Sequence, residues 1–270
     1  MEEVNRFKNL VEINLGVFMG NIIENGLYND KFYQSMSIES LESARIYLAY
    51  LWKFFQPNSV SDIGCGRGAW LKACNELGCK NLYGYDGSWN NQSQMIDNRI
   101  EFNSIDLNKP FTLEKKVDLL MTLEVAEHIE ESNSSHFVNS ITDATDVILF
   151  GAAFKDQGGT NHINEQLHSF WAKLFIKNGF VPFDIFRPIF WRDSRVGFWY
   201  RQNTFLYLKK DSFMYKKIKN AGFLELTNID FMDCIHPDLY DLKCGNGLGV
   251  RLLIKELIPS INRAIKRRIF

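Results

Sequence analysis

Two carboxylates set beside glycines offer the first chemistry in this chain. Asp62 stands two residues before Gly64 in Asp62-Ile63-Gly64-Cys65-Gly66-Arg67-Gly68, and Asp86 closes Tyr83-Gly84-Tyr85-Asp86. Glycines at 64, 66 and 68 let a backbone turn sharply from strand to helix, approach a ligand closely and present the helix's first amides to it. Such a loop alone serves many nucleotides, and the acids narrow the choice. A carboxylate at 62 would repel a pyrophosphate, which counts against a nicotinamide dinucleotide, but would receive the ammonium of a ligand built on an amino acid. A carboxylate at 86, about 20 residues beyond the loop, can accept hydrogen bonds from two ribose hydroxyls.

A second constellation is Glu124-Val125-Ala126-Glu127-His128, with Gly158-Gly159-Thr160-Asn161-His162 further on. On a helical turn, Glu124, Glu127 and His128 fall at i, i+3 and i+4 and share one face. His162 follows the next expected strand, and loops at the carboxyl ends of neighbouring parallel strands share a crevice. These four residues are candidate ligands for Mg²⁺, Mn²⁺ or Zn²⁺, an ion that would lower the pKa of an acceptor hydroxyl. Without an ion, His162 would be a general base. A bland alternative also stands, in which the glutamates complement a helix N-terminus.

The elements that must position these groups follow from apolar spacing. Leu41, Ala44, Leu48, Leu51, Trp52 and Phe55 fall on one face of a helix between Ser40 and Phe55, ended by Pro57-Asn58-Ser59. A looser pattern predicts an N-terminal helix from Asn5 to about Ile23. Short apolar runs at Val60 to Ile63, Asn81 to Tyr85, Ile100 to Ile105, Val117 to Met121 and Val147 to Ala152 alternate with helical or turn-rich segments. That alternation predicts an α/β fold, an open and mostly parallel sheet with helices on both faces. After a helix through Leu167, Phe170, Trp171, Leu174 and Phe175, two further strands are expected at Phe180 to Phe186 and Phe198 to Leu208. Expected boundaries are an N-terminal extension 1–37, a core 38–210 and a C-terminal extension 211–270.

Val60-Ser61-Asp62-Ile63-Gly64-Cys65-Gly66-Arg67-Gly68 and Tyr83-Gly84-Tyr85-Asp86-Gly87-Ser88 resemble the first two motifs of the class I S-adenosylmethionine-dependent methyltransferases. The resemblance covers about residues 38 to 208 and implies a Rossmann-like seven-stranded sheet with one antiparallel strand. It implies that S-adenosylmethionine is held by Asp62, Gly64, Cys65, Gly66, Gly68, Trp70, Asp86, Gly87 and Ser88. Asp106 and Leu107 would flank the adenine, with Leu123 at the end of the fourth strand. Glu124, Glu127 and His128 with His162 resemble the metal set of small-RNA 2′-O-methyltransferases, and are similar to quinone-biosynthetic O-methyltransferases. In that reading Glu124, His128 and His162 are the catalytic residues. The segment from Gly158 to Trp171 and Trp199-Tyr200-Arg201-Gln202-Asn203 look like a bacterial subgroup associated with surface (capsular) polysaccharide synthesis, which makes Asn164, Trp199, Tyr200, Arg201 and Asn203 candidate sugar contacts.

Composition bounds the partners. With 46% hydrophobic and 23% charged residues and a net charge of −1, the chain reads as an ordinary globular protein without a broad basic stripe, so nucleic acid is not an expected partner. The expected acceptor is a sugar, nucleotide-sugar or glycan; RNA ribose, a small-molecule hydroxyl and a non-catalytic partner-subunit role are the alternatives. Cys65, Cys74, Cys79, Cys234 and Cys244 lack disulfide or zinc spacing, and neither a signal peptide nor a membrane span is evident, so a cytoplasmic location is expected. Ile254, Leu257, Ile258 and Ile261, with Arg263, Lys266, Arg267 and Arg268, predict a basic amphipathic tail that would dock on its own protein, on a homodimer partner or on a membrane surface.

Overall fold

The computed structural model describes residues 30–244, with side chains from 39 to 241. The helices expected at Asn5 to Ile23 and around Ile254 lie outside the described residues. The five early apolar runs form five strands: β1 (Ser59–Ile63), β2 (Asn81–Asp86), β3 (Ile100–Ser104), β4 (Leu119–Leu123) and β5 (Val147–Gly151). With β6 (Phe180–Phe183) and β7 (Phe205–Lys209) they make one sheet in the order β3-β2-β1-β4-β5-β7-β6. β1 to β5 pair in parallel and β7 runs antiparallel to both of its neighbours. This is the Rossmann-like methyltransferase sheet the motifs imply.

Parallel strands are buried on both faces, so they read as continuous apolar runs, and all five residues of β4 and of β5 are buried. Alternation still sorts their side chains. Leu119, Met121, Leu123 and Leu149 point to one apolar cluster, and Leu120, Ile148 and Phe150 to the other. The first cluster takes α1 (Asp30–Leu51), α2 (Ala69–Glu76) and α7 (Phe213–Asn220); the second takes α3 (Ser134–Thr142) and α4 (His168–Lys177). Ala44, Leu48 and Leu51 of the expected amphipathic helix are fully buried, but α1 starts earlier, at Asp30, and residue 38 lies inside it.

One expected strand is corrected. Phe198 to Leu208 is not a single strand: Phe198–Asn203 is a short helix (α6), and only Phe205 onward pairs in β7. The expected strand to Phe186 likewise stops at Phe183, before a one-turn helix α5 (Arg187–Phe190). The physical reason lies in burial. Tyr200, Arg201, Gln202 and Asn203 are buried in succession, each with partners in a different direction, which a strand's two-sided alternation cannot supply. A last helix, α8 (Pro237–Cys244), closes the described chain.

The chain leaves β1 for β2 and β3 on one side and returns to β4 on the other. The carboxyl ends of β1 and β4 therefore flank a topological switch point, where open α/β sheets bind ligands.

Candidate active site

The β1–α2 turn is built of backbone. Gly64, Gly66 and Gly68 have φ of 76°, 53° and 84°, the left-handed region that side chains rarely adopt. At Gly64 a Cβ would also lie 2.3 Å from Val125 Cγ2, so the turn is packed against the residue that follows Glu124. Above Gly66 there is open space. Asp62 is buried and its carboxylate has no hydrogen-bond partner among the described residues; burial and the neighbouring Asp86 carboxylate push its pKa up. Asp86 accepts from the amides of Gly66 and Gly87, each at 2.7 Å, which ties the second strand's acid to the glycine turn.

Two cavities open here and share Gly64, Asp86 and Trp89. One, of about 480 Å³, is lined by Asp62, Cys65, Gly66, Trp70, Leu123 and Tyr200 among others. The other, of about 760 Å³, is lined by Gly87, Ser88, Asp106, Leu107, Glu124 and His128 among others. Of the residues expected to hold the donor, Gly68 alone lines neither; it stands at the start of α2, where a Cβ would strike Ile100. An unpartnered carboxylate at one end, an acid at the ribose position in the middle and Asp106–Leu107 at the far end match an amino acid joined to a nucleoside. Asp106 itself is exposed and paired with Lys109 at 2.8 Å.

On the far side of the cleft, Glu124 follows β4 with φ 58°, an uncommon conformation for a residue with a side chain. Glu127 and His128 lie on the 3₁₀ turn Ala126–His128, not on an α-helix. That turn brings Glu127, His128 and His162 together, with one ligand atom from each within 4.8 Å of the others. Glu124, the fourth expected ligand, is outside this group. Asn203 Nδ2 donates to its Oε1 at 2.8 Å and Gln157 Nε2 to its Oε2 at 3.2 Å, while burial raises its pKa to about 7.

Glu127 is fully buried, and neither of its carboxylate oxygens has a hydrogen-bond partner. Burial and the charge of Glu124 push its pKa up. Its nearest cationic candidate is His162 Nε2, 4.0 Å from Oε1. The far nitrogens of both imidazoles are engaged: His162 Nδ1 meets Glu165 Oε1 at 2.7 Å, and His128 Nδ1 meets the Asn161 carbonyl at 3.1 Å. His162 Nε2 is thereby turned toward Glu127, and an outer carboxylate or carbonyl on the far nitrogen is the arrangement that orients metal-binding histidines. A buried carboxylate without a donor is costly, and a bound cation satisfies it. The donor set fits a hard or borderline divalent ion.

The expected sugar contacts separate. Tyr200 reaches the smaller cavity, donating to Ser40 Oγ at 3.1 Å and accepting from Trp70 Nε1 at 3.3 Å. Asn203 is fully buried behind Glu124. Trp199 is half-buried against the core, its ring lying over Gly197. Arg201 is turned inward, donating to the carbonyls of Val196 and Trp191 and pairing with Asp238 at 2.9 Å. Asn164 is buried and donates to Ser134 Oγ at 3.0 Å. Of the five, Tyr200 alone lines either cavity.

Four residues to which the sequence assigns no role complete the site. Gln157 and Glu165 orient Glu124 and His162. Trp89 lines both cavities. Gly159 lacks the Cβ that would lie 2.3 Å from His162 Nε2. The Gly158-Gly159 pair was the one signal for this last function.

Residues 38–181 match the model of a methyltransferase domain family. No curated protein matches the sequence. In fold the chain is similar to human N-acetylserotonin methyltransferase in complex with S-adenosylmethionine (18% identity, TM-score 0.45, 66% of this chain and 55% of that one). It is similar to the methyltransferase domain of bacterial CtHen1 (16%, 0.44, 62% and 96%). It is also similar to magnesium protoporphyrin IX methyltransferase from Synechocystis PCC 6803 with bound S-adenosylhomocysteine (18%, 0.45, 68% and 88%). The chain spans 55% to 61% of the length of the first four solved structures it matches. With more than half of its residues matched and the sheet order in place, this chain belongs to the methyltransferase domain family, as a class I member dependent on S-adenosylmethionine.

Proposed function

We propose that this protein is an O-methyltransferase that moves the methyl group of S-adenosylmethionine to a hydroxyl of a sugar, in a precursor of a surface polysaccharide, with a divalent cation held by Glu127, His128 and His162. The observation that carries the reading is the buried, unpartnered Glu127 carboxylate facing two oriented imidazoles beside the donor cleft. An ion bound there supplies Lewis acidity that lowers the pKa of an acceptor hydroxyl. The protein's own part is placement: Asp62 receives the donor's ammonium, Asp86 its ribose, and Glu124, fixed by Asn203 and Gln157, borders the acceptor space. In-line positioning of this kind is a large share of what a methyl-transfer site contributes. A sugar acceptor is supported by the sequence resemblance from Gly158 to Trp171 and by the near-neutral charge, which disfavours a polyanionic partner.

A second reading rests on the Glu165–His162 pair, in which the carboxylate orients the imidazole to act as general base with no metal. Mn²⁺ titration by calorimetry separates the two. Binding to the wild-type chain that disappears in His162→Ala supports the metal; no binding to either supports the base. The acceptor is tested by mass spectrometry of nucleotide-sugar and polysaccharide pools with and without the gene. A difference of one methyl group is expected, and unchanged pools would overturn the sugar assignment.

A further inference from the structure

A series of buried hydrogen-bonding groups stands behind Glu124, and its order is fixed from one end. That end is the backbone N–H of Phe154, which can only donate, and it donates to Gln157 Oε1 at 3.1 Å. Gln157 therefore turns its Nε2 toward Glu124 Oε2, 3.2 Å away, and offers Oε1 to Asn203. Asn203 must meet that oxygen with Nδ2, at 3.0 Å, because the reversed amide would set its own oxygen against it. The same Nδ2 donates to Glu124 Oε1 at 2.8 Å. Asn203 Oδ1 is left facing His168 Nε2 at 3.2 Å, its one donor among the described residues.

On the other side of the His168 ring the demand is already met. Nδ1 lies 3.0 Å from the Met232 carbonyl, but that carbonyl accepts from Arg187 Nη1 at 2.8 Å. A neutral imidazole has one N–H to place. On Nε2 it satisfies Asn203 Oδ1, and every oxygen in the series then has a donor. On Nδ1 it gives Met232 a second donor and leaves Asn203 Oδ1 with none, the costlier choice in a buried place. We infer that His168 is held as the Nε2–H tautomer and is a positioning residue for Glu124, acting through Asn203; this rests on the reading above in which Glu124 borders the acceptor space. Packing holds the ring itself, with Phe154 and Phe205 at centroid distances of 4.9 and 5.0 Å. The side chain that opens α4 thus sets which end of the Asn203 amide faces the carboxylate after β4.

The test reads protons in the free full-length protein by NMR. Two-bond ¹H–¹⁵N spectra at about pH 7.5, above the ordinary imidazole range, separate a proton-bearing ring nitrogen from a bare one. His168 is expected to carry its proton on Nε2, and a bare Nε2 overturns the inference. Hydrogen exchange of the Asn203 side-chain amide is the second readout. His168→Gln keeps an N–H near the place of Nε2 and should leave that exchange within about threefold of wild type, whereas His168→Leu offers no donor and should speed it at least about tenfold. A merely structural role would move both variants together, so equal exchange in the two overturns the inference whatever their unfolding midpoints. Should His168→Leu fail to fold, the wild-type tautomer decides alone. Neither measurement involves donor, metal or acceptor, so unchanged sugar pools would overturn the sugar assignment and leave this result standing.

Discussion

The two halves of the cleft hold the same unusual object, a buried carboxylate without a protein partner, but they hold it by different means. Around Asp62 the walls are backbone: three glycines in left-handed conformations and amides tied to Asp86. Around Glu127 the walls are side chains, two imidazoles whose rings are aimed by Glu165 and the Asn161 carbonyl. The difference teaches where each half is fragile. A backbone cradle cannot be altered without disturbing the fold that shapes it, whereas a side-chain cluster can be dismantled one group at a time.

Gly64→Ala is the harshest test of the backbone half. Its Cβ would overlap Val125 and the residue would sit at φ 76°, so overpacking and strain together are expected to cost about 3–5 kcal/mol. Denaturant unfolding should register that loss, with donor binding failing in parallel. Retained stability with binding lost would mean that the turn relaxes and that the two properties are separable.

Next in size is a pH effect from a buried imidazole set between two oxygen acceptors, of which its neutral form can donate to one. His168 is fully buried, with Met232 O at 3.0 Å from Nδ1 and Asn203 Oδ1 at 3.2 Å from Nε2, and burial holds its pKa down at about 4. The folded value lies below the ordinary 6.5, so the unfolded chain binds the proton more readily between the two. The His168 contribution to stability is complete above pH 6.5 and is lost as the pH drops toward 4, by about 3 kcal/mol. Glu124, with its pKa raised to about 7, changes stability in the opposite sense over the same window, so the loss is read in urea unfolding as the difference between wild type and His168→Gln.

Glu127→Gln probes the side-chain half and should do the reverse to stability. Removing an unpartnered buried carboxylate leaves the unfolding midpoint unchanged or higher. Mn²⁺ affinity should fall by at least about a hundredfold, beyond the loss typical of outer-shell changes. A stable variant that binds Mn²⁺ like the wild type would remove Glu127 from the site.

The same contrast explains what could be read from the sequence. The donor half is local: Asp62 and the glycines lie within seven residues and Asp86 ends the next strand, so spacing alone reveals them. The Glu127 half depends on approach between segments. Glu127 meets His162 because the amides of Ile163 and Asn164 bond the Glu127 carbonyl at 2.9 and 3.0 Å. Spacing placed Glu124 with the ligands, on an α-helical face; the backbone instead turns at φ 58° and hands Glu124 to Asn203 and Gln157. Asn203 was misplaced for a related reason, because the aromatic run from Phe198 favours strand locally while burial on all sides requires the helix. Trp89 escaped notice because its position over Gly87 is a matter of rotamer, which no spacing encodes.

Gly159→Ala is the smallest change and the most discriminating. Unlike Gly64, Gly159 is not in the left-handed region, so alanine fits its backbone and the new Cβ must instead displace the His162 ring, 2.3 Å away. The fold and the donor cleft lie outside that contact, so the unfolding midpoint and S-adenosylhomocysteine affinity should stay at wild-type values. Mn²⁺ affinity should fall roughly tenfold, the scale on which a misdirected ligand costs a metal site. If donor affinity falls as well, the halves are coupled through the shared wall of Gly64 and Val125. If Mn²⁺ affinity holds, the His162 ring has room to return, and its aim is set by Glu165 alone.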